Sequence, residues 1–262
     1  MEDKNVLEMM EQSDMILVGL GEDFDNLEEL RKSERYVNGC NILKEAKLQW
    51  LIPAWNEFCA EGSKGDAVKS TLEKLAALLG DKNYFVVSVS TNSRIAHISW
   101  KSVYVMPCGS ILKKQCVNGC DGVLREVTEE DRDGLHRILD RLSEHHFRKE
   151  EAFCLGVCPE CGAPLVLNNI YVDHYNENGY MEQWKLYTKW LQGTLNKRLL
   201  ILELGVNMWF PSVIRWPFEK IAFFNKKANI CRVNEKLYQL SADLAGKGCG
   251  ISQNAIDWLG KL

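Results

Sequence analysis

Four cysteines in two closely spaced pairs are the residues of this sequence best suited to chemistry. Three residues separate Cys116 from Cys120, two separate Cys158 from Cys161, and Gly162 follows the second pair. Thiolates at such spacings reach one Zn²⁺ ion at about 2.3 Å each, and four of them close a tetrahedral site to water and substrate. The sequence therefore predicts a structural zinc site on these four residues.

The alternative is that these four are buried free thiols, and nearby Cys154 is an alternative ligand. The chain has 10 cysteines, which favours metal over disulfides because a domain of this length needs no covalent cross-links. The remaining cysteines outside this region have no partner in sequence and are interpreted as small buried hydrophobic residues, namely Cys40, Cys59, Cys231 and Cys249.

A glycine turn near the start of the chain is the second candidate for chemistry. The apolar run at residues 15–18 meets Gly19, Leu20 and Gly21, and an acidic stretch with helical spacing follows. A strand that leads through glycines into a helix is typical of a nucleotide-binding unit. The pattern is short, so an ordinary tight turn remains the alternative.

The elements that must position these residues alternate between helices and short apolar strands. Strands are predicted at residues 84–87, 199–202 and 229–233, and helices at 66–80 and near 253–262. The run at 199–202 is apolar without alternation, so both of its faces should be covered. This pattern predicts an α/β fold with a Rossmann-type, doubly wound parallel sheet.

The middle of the chain differs from both ends. Residues 106–168 carry six cysteines and one predicted helix, at 128–143, which Thr128 and Asp131 begin as a capping pair. We expect this segment to be a small inserted zinc-binding module, and residues 1–105 and 169–262 to form one discontinuous nucleotide-binding domain.

The charge balance limits the classes of partner. The chain has 32 Lys and Arg against 36 Asp and Glu, a net charge of −4 and a pI near 5.8. No basic field is available for nucleic acid or anionic lipid. No apolar run approaches the roughly 20 residues that cross a bilayer, and the first residues are acidic, so a cytoplasmic protein is expected.

The order of these parts resembles the sirtuins: a glycine turn, an Asn after the second strand, a four-cysteine module, a Gly after a buried strand and an Asn after the next. In detail it is similar to the class M sirtuins, found beside lipoylation and macrodomain proteins in microbes. The matching residues are Cys158-Pro159-Glu160-Cys161-Gly162, Leu202-Glu203-Leu204-Gly205-Val206, and Cys108-Gly109, which stands five residues before Gln115-Cys116.

The resemblance implies NAD as cofactor, bound in a cleft between the large domain and the zinc module. It also implies protein deacylation or ADP-ribosyl transfer, with an acylated or lipoylated carrier protein or a macrodomain protein as partner. Asn92 would orient the ribose and its attacking water. The cofactor-binding residues that the resemblance implies are Gly19, Gly21, Asp23, Asn92, Gly205, Asn207 and Asn234.

Two departures from the family pattern concern the cofactor. The family has Gly-Ala-Gly followed closely by Ser where this chain has Gly19-Leu20-Gly21-Glu22-Asp23. Carboxylates there oppose a diphosphate by about 1 kcal/mol each when solvated, so we expect weak NAD binding. After Asn92 the family has Asp where this chain has Arg94, a cation that opposes the positive charge growing on the ribose.

The third departure is Cys108, which stands where most sirtuins have a His and class M has a Gln. Arg94 is the candidate cation to lower the pKa of this thiol, making Cys108 a base or nucleophile; an inert buried thiol is the alternative. We therefore expect a divergent sirtuin-like protein with weak or lost activity. The alternatives are an inactive pseudo-sirtuin that senses a nucleotide or binds a protein, and an unrelated zinc-stabilised α/β scaffold.

Overall fold

A computed structural model describes residues 2–120 and 122–262. The strands are β1 (Met15–Leu20), β2 (Asn83–Ser88), β3 (Tyr104–Val105), β4 (Gly109–Cys116), β5 (Arg125–Glu126), β6 (Leu165–Asn169), β7 (Leu199–Leu204), β8 (Asn229–Val233) and β9 (Gly248–Ile251). The helices are α1 (Glu2–Gln12), α2 (Leu27–Leu30), α3 (Glu34–Glu45), α4 (Ile52–Cys59), α5 (Ser63–Leu79), α6 (Glu129–Ser143), α7 (Met181–Gln192), α8 (Arg215–Phe224) and α9 (Ala255–Lys261).

The larger sheet has six strands in the order β3-β2-β1-β7-β8-β9, and every neighbouring pair is parallel. All residues of β1 and β7 are buried, because apolar cores lie on both faces of the sheet. The predicted doubly wound α/β fold is confirmed. The strand order reverses between β1 and β7, and in such sheets ligands bind outside the carboxyl ends of the strands at this point.

The strand predicted at 15–18 continues through Leu20, so Gly19 lies inside β1 and not in the turn. A Cβ on Gly19 would lie 2.7 Å from the side chains of Ile214 and Phe218, so glycine here lets α8 pack closely on the sheet. The helix predicted at 66–80 begins at Ser63, so Asp66 is not its N-cap; Gly80, with φ of 52°, ends it as predicted.

A smaller antiparallel sheet, in the order β5-β4-β6, carries the cysteine pairs. Helix α6 begins at the predicted capping box, in which Thr128 and Asp131 bond reciprocally. The apolar core of this unit also includes residues from α2, α3 and α4. The module boundaries at residues 106 and 168 stay a prediction. Residues 27–60 pack in the same apolar core as the module.

The longest of the described helices, α5, has 17 residues. Within residues 2–120 and 122–262, none is long and apolar enough to cross a membrane.

Candidate functional site

The carboxyl edge of the larger sheet brings the predicted cofactor residues together. Gly21 follows β1, Asn92 follows β2, Gly205 and Asn207 follow β7, and Asn234 follows β8. Two hydrogen bonds join these loops: the backbone N–H of Gly21 donates to Leu204 O at 2.8 Å, and the Asn234 amide donates to Val206 O at 3.1 Å. These bonds join the loops after β1 and β8 to the end of β7 and the loop that follows it, at the point where the strand order reverses.

The two carboxylates of the glycine turn occupy backbone donors at this edge. Glu22 Oε2 accepts from the N–H of Asn207 at 3.0 Å, and Asp23 Oδ2 accepts from the N–H of Ala255 at 3.0 Å. Glu22 is 4% exposed, and its Oε1 has no hydrogen-bond partner among the described residues. Burial raises the pKa of Glu22, and it raises the pKa of Asp23 to about 6.

The space beside the glycines of this crevice is occupied by the protein's own atoms. A Cβ on Gly21 would lie 2.1 Å from the carbonyl oxygen of Gly205, and a Cβ on Gly205 would lie 2.4 Å from Cβ of Asp23. Backbone N–H groups beside glycines are the groups that bind phosphates in nucleotide sites. Here the N–H groups of Gly21 and Asp23 donate to the carbonyls of Leu204 and Gly205. The carboxylates of Glu22 and Asp23 lie in the same turn, so it does not fit a diphosphate while both acids are ionised.

Asp25 is a buried acid of the site that the sequence analysis missed. Its Oδ1 accepts from the Ser90 hydroxyl at 2.8 Å and from the backbone N–H of Thr91 at 3.1 Å. Burial raises its pKa to about 7 and outweighs these hydrogen bonds. The only sequence signal was its place in the acidic stretch after Gly21, which gives no indication of burial.

Asn92 and Arg94 are both engaged within the protein. The Asn92 amide donates to Phe24 O at 2.8 Å, and its Oδ1 accepts from the backbone N–H of Arg94 at 3.0 Å. The Arg94 guanidinium lies 3.9 Å from Glu57. Glu57 also accepts two hydrogen bonds from Ser93, at 2.8 and 2.6 Å, and was missed because it lies far from the motifs in sequence.

Cys108 lies next to acids and not next to the expected cation. The thiol is 2% exposed, and its pKa is raised by burial and by the charges of Asp25 and Glu22. The expectation that Arg94 would lower this pKa is wrong for this structure, because Arg94 is turned toward Glu57. The group is a neutral thiol near pH 7.

We expect Cys108 to react slowly with iodoacetamide at pH 7, because a thiol must lose its proton to be alkylated. Labelling should be slower than at partly exposed Cys59 and should not change in Arg94→Ala. Peptide mass spectrometry over a time course measures both rates. Rapid labelling of Cys108 that slows in Arg94→Ala would restore the activated-thiol interpretation.

The predicted metal residues converge at one end of the smaller sheet. The sulfur atoms of Cys116, Cys120, Cys158 and Cys161 lie within 4.8 Å of one another. Four sulfurs bound to one Zn²⁺ lie about 3.8 Å apart in a tetrahedron, and the closest pairs here are 3.3 to 3.6 Å apart. The donor set fits a closed structural zinc site, in which all four positions are protein ligands.

One tight turn lies at each cysteine pair. The backbone N–H of Gly119 donates to Cys116 O at 3.0 Å, and that of Gly162 donates to Cys158 O at 2.9 Å. Cys154 does not belong to the sulfur cluster found among the described residues, and it packs beside Gly134 of α6 instead. The structure thus separates the alternative ligand from the four predicted ones.

The four cysteines predicted to be buried and without partners match that prediction only in part. Cys40 and Cys231 are buried, whereas Cys59 and Cys249 are partly buried. Cys231 and Cys249 stand opposite each other on β8 and β9 with their sulfurs 3.4 Å apart. These two do have partners, which sequence spacing could not show.

A network of buried charged side chains bonds to the loops at the carboxyl edge. Glu203, on β7, lies 2.7 Å from Arg232 and 2.9 Å from Arg215. Arg215 donates to the carbonyls of Val206 at 2.7 Å and of Leu237 at 3.1 Å. Removing one member would leave a buried charge without its partner, so the network fixes these loops in place.

Solved structures of sirtuins share this fold. Sir2Tm bound to a propionylated peptide superimposes with a TM-score of 0.56 at 12% identity, over 100% of this chain and 97% of that one. A Sir2 mutant in complex with p53 peptide and NAD gives a TM-score of 0.57 at 11% identity, with the same coverage. At these identities the likeness establishes the fold.

One curated protein gives a sequence match. It is a protein ADP-ribosyltransferase of Staphylococcus aureus (strain Mu50 / ATCC 700699), 20% identical over 206 residues. The match covers 71% of this chain and 60% of the relative's own length. No family model matches the chain.

Proposed function

We propose that this protein is a divergent sirtuin-like protein in which NAD-dependent ADP-ribosyl transfer is weak at neutral pH. The sirtuin fold, the Staphylococcus aureus relative and the position of Asn92 support the reaction class. The observation that supports weak cofactor binding is that the carboxylates of Glu22 and Asp23 lie in the crevice, where they accept from the backbone N–H groups of Asn207 and Ala255. Cofactor affinity is then limited by repulsion between the diphosphate and these carboxylates.

Asp25 is the group in this site best suited to hold or accept a proton. Its pKa of about 7 lies near physiological pH, where a general acid or base is most effective. Cys108, a neutral thiol with a raised pKa, is a poor base by comparison. The acceptor we propose is the one that the resemblance implies, an acylated or lipoylated carrier protein or a macrodomain protein.

The role of zinc in this proposal is structural. When bound by the four thiolates it cross-links β4 to the loop before β6, and it leaves no open position for substrate. The module that carries Cys108 and Gly109 is thereby held in place.

The double variant Glu22→Ala, Asp23→Ser is expected to bind NAD about tenfold or more tightly than the native protein, because two opposing charges are removed. Isothermal titration with NAD and with ADP-ribose measures the affinity. The matched control is Asp133→Ser with Glu150→Ala, which removes two exposed acids of the module. Low-micromolar NAD binding by the native chain, or no gain in the double variant, would contradict the proposal.

A second candidate function is a binding module without catalysis. Large apolar side chains are half exposed or more beside the Asn207 loop and on α8, namely Met208, Trp209, Trp216, Phe223 and Phe224. Exposed apolar side chains in such numbers favour a contact with another protein. Release of nicotinamide from NAD by the double variant supports the enzyme, and tight NAD binding without release supports the module.

A further inference from the structure

Two cysteines of the larger sheet lie in contact at its edge. Cys231 of β8 and Cys249 of β9 are paired residues in the parallel ladder, and their sulfur atoms lie 3.4 Å apart. Neither belongs to the group of four cysteines that fits a metal, which is the group found in the described part of the chain. The zinc site does not account for this second pair of thiols, and the proposed function makes no use of it.

The backbone spacing at this pair suits a disulfide. Opposite residues on neighbouring strands have their α-carbons about 4.8 Å apart, which lies inside the range of roughly 4.4 to 6.8 Å that disulfides span. Both side chains pack in the same apolar core, together with Trp258 and Leu259 of α9. The two sulfurs therefore need only turn toward each other, and the strands keep their register.

The two thiols differ in their access to solvent. Cys231 is 0% exposed, whereas Cys249 is only partly buried. Strand β9 is the edge of the sheet and pairs with β8 alone. Gly248, next to Cys249, is exposed and carries no side chain that could cover the thiol. A soluble oxidant therefore reaches Cys249 first, and Cys231 reacts through Cys249.

We propose that Cys231 and Cys249 are a reversible redox-modification site, which forms an intramolecular disulfide with a small-molecule disulfide such as glutathione disulfide as the oxidant. The Cys249 thiolate attacks one sulfur of the oxidant, forms a mixed disulfide and releases one glutathione thiolate. Cys231 then loses its proton and attacks Sγ of Cys249, which forms the protein disulfide and expels the second glutathione. The protein thiols give up two electrons and two protons, and these convert one glutathione disulfide into two glutathione thiols.

The disulfide joins the edge strand covalently to the rest of the sheet. Strand β9 has four residues, and it leads toward the start of α9. The backbone N–H of Asn234 donates to Ile251 O at the end of β9 at 3.1 Å. Because a cross-link restricts the unfolded chain, the oxidised protein is expected to unfold several degrees above the reduced one. This inference does not involve NAD, so it stands or fails separately from the proposed function.

Zinc-loaded protein in glutathione buffers of increasing oxidised fraction tests the site, under conditions that keep the zinc content constant. The remaining thiols are alkylated, and peptide mass spectrometry is expected to find Cys231 cross-linked to Cys249. Dithiothreitol should reverse the cross-link. Cys154, which is also partly buried, is the internal control and should remain an alkylated thiol at every buffer ratio.

Cys231→Ala removes the second thiol and leaves the first. The glutathione adduct at Cys249 should therefore accumulate in this variant at least about tenfold above its level in the native chain, because nothing resolves it. Cys249→Ser, at the more exposed position, serves as well if Cys231→Ala does not fold. It should form no cross-link, no adduct at Cys231 and no shift in the midpoint of thermal unfolding on oxidation.

Three results would overturn the proposal. The first is the absence of the Cys231–Cys249 cross-link at every buffer ratio. The second is a stable glutathione adduct at Cys249 in the native chain, because it would show that Cys231 does not attack. The third is an unchanged midpoint of thermal unfolding after the native protein has been fully cross-linked.

Discussion

Cys158→Ser is expected to lose the zinc and to unfold the smaller unit of the protein. Cys158 is 1% exposed and belongs to the same apolar core as residues of α3, α4 and α6. Structural zinc sites contribute on the order of 10 kcal/mol to folding, and a serine hydroxyl does not replace a thiolate ligand. Elemental analysis should give one zinc per native chain and a large loss in the variant, with a lower midpoint of thermal unfolding.

Cys154→Ser is the matched control for this experiment. It makes the same chemical change in the same unit, at a sulfur that lies outside the cluster. We expect it to keep the metal and to lose little stability. A native protein purified without zinc, or Cys158→Ser with a full complement of zinc, would show that the four thiols are not a metal site.

Asp25→Asn is expected to stabilise the protein at pH 8 by about 4 kcal/mol, because the pKa of Asp25 rises from 3.8 to about 7 on folding. Well below pH 4 the carboxyl is protonated in both the folded and the unfolded state and makes no difference to stability. As pH rises from 4 to 7 the unfolded state ionises first, so this group lowers the free energy of unfolding. Asparagine retains an oxygen acceptor for Ser90 and Thr91 but carries no charge.

Urea unfolding at pH 4, 6 and 8 measures this dependence. The gain in Asp25→Asn should be small at pH 4 and should grow through pH 6 to its full value at pH 8. Asp133→Asn, at an exposed acid of α6, controls for the loss of one charge. An equal gain at all three pH values would mean that Asp25 is not a buried titrating carboxyl.

Periodicity and short-range spacing predicted most of the scaffold. The strand predicted at 229–233 matches β8, the capping pair starts α6, and the four zinc-site cysteines meet as their spacing indicated. The strand and the capping pair are local patterns that depend on residues within a few positions of one another, and the two cysteine pairs are each local although 37 residues separate them. Burial of the apolar faces then packs these elements together, and the motifs themselves play no further part in the packing.

The electrostatics of the site could not be predicted in the same way. The opposing charge of Glu22 and Asp23 was visible in sequence, but their use of the N–H groups of Asn207 and Ala255 depends on loops far along the chain. The partner of Arg94 was misjudged for the same reason, since Glu57 reaches it from α4. Spacing gives no measure of burial, which sets the pKa of Asp25 and Cys108.

The central position of β1 has a consequence for synthesis of the chain. On the ribosome, β1 and β2 emerge early and pair, but the other edge of β1 stays bare until β7 has been made. This strand is apolar, with no side-chain charge from Met15 to Leu20. Such an edge can recruit strands of other chains, so we expect the nascent protein to be most prone to aggregation before residues 199–204 are released.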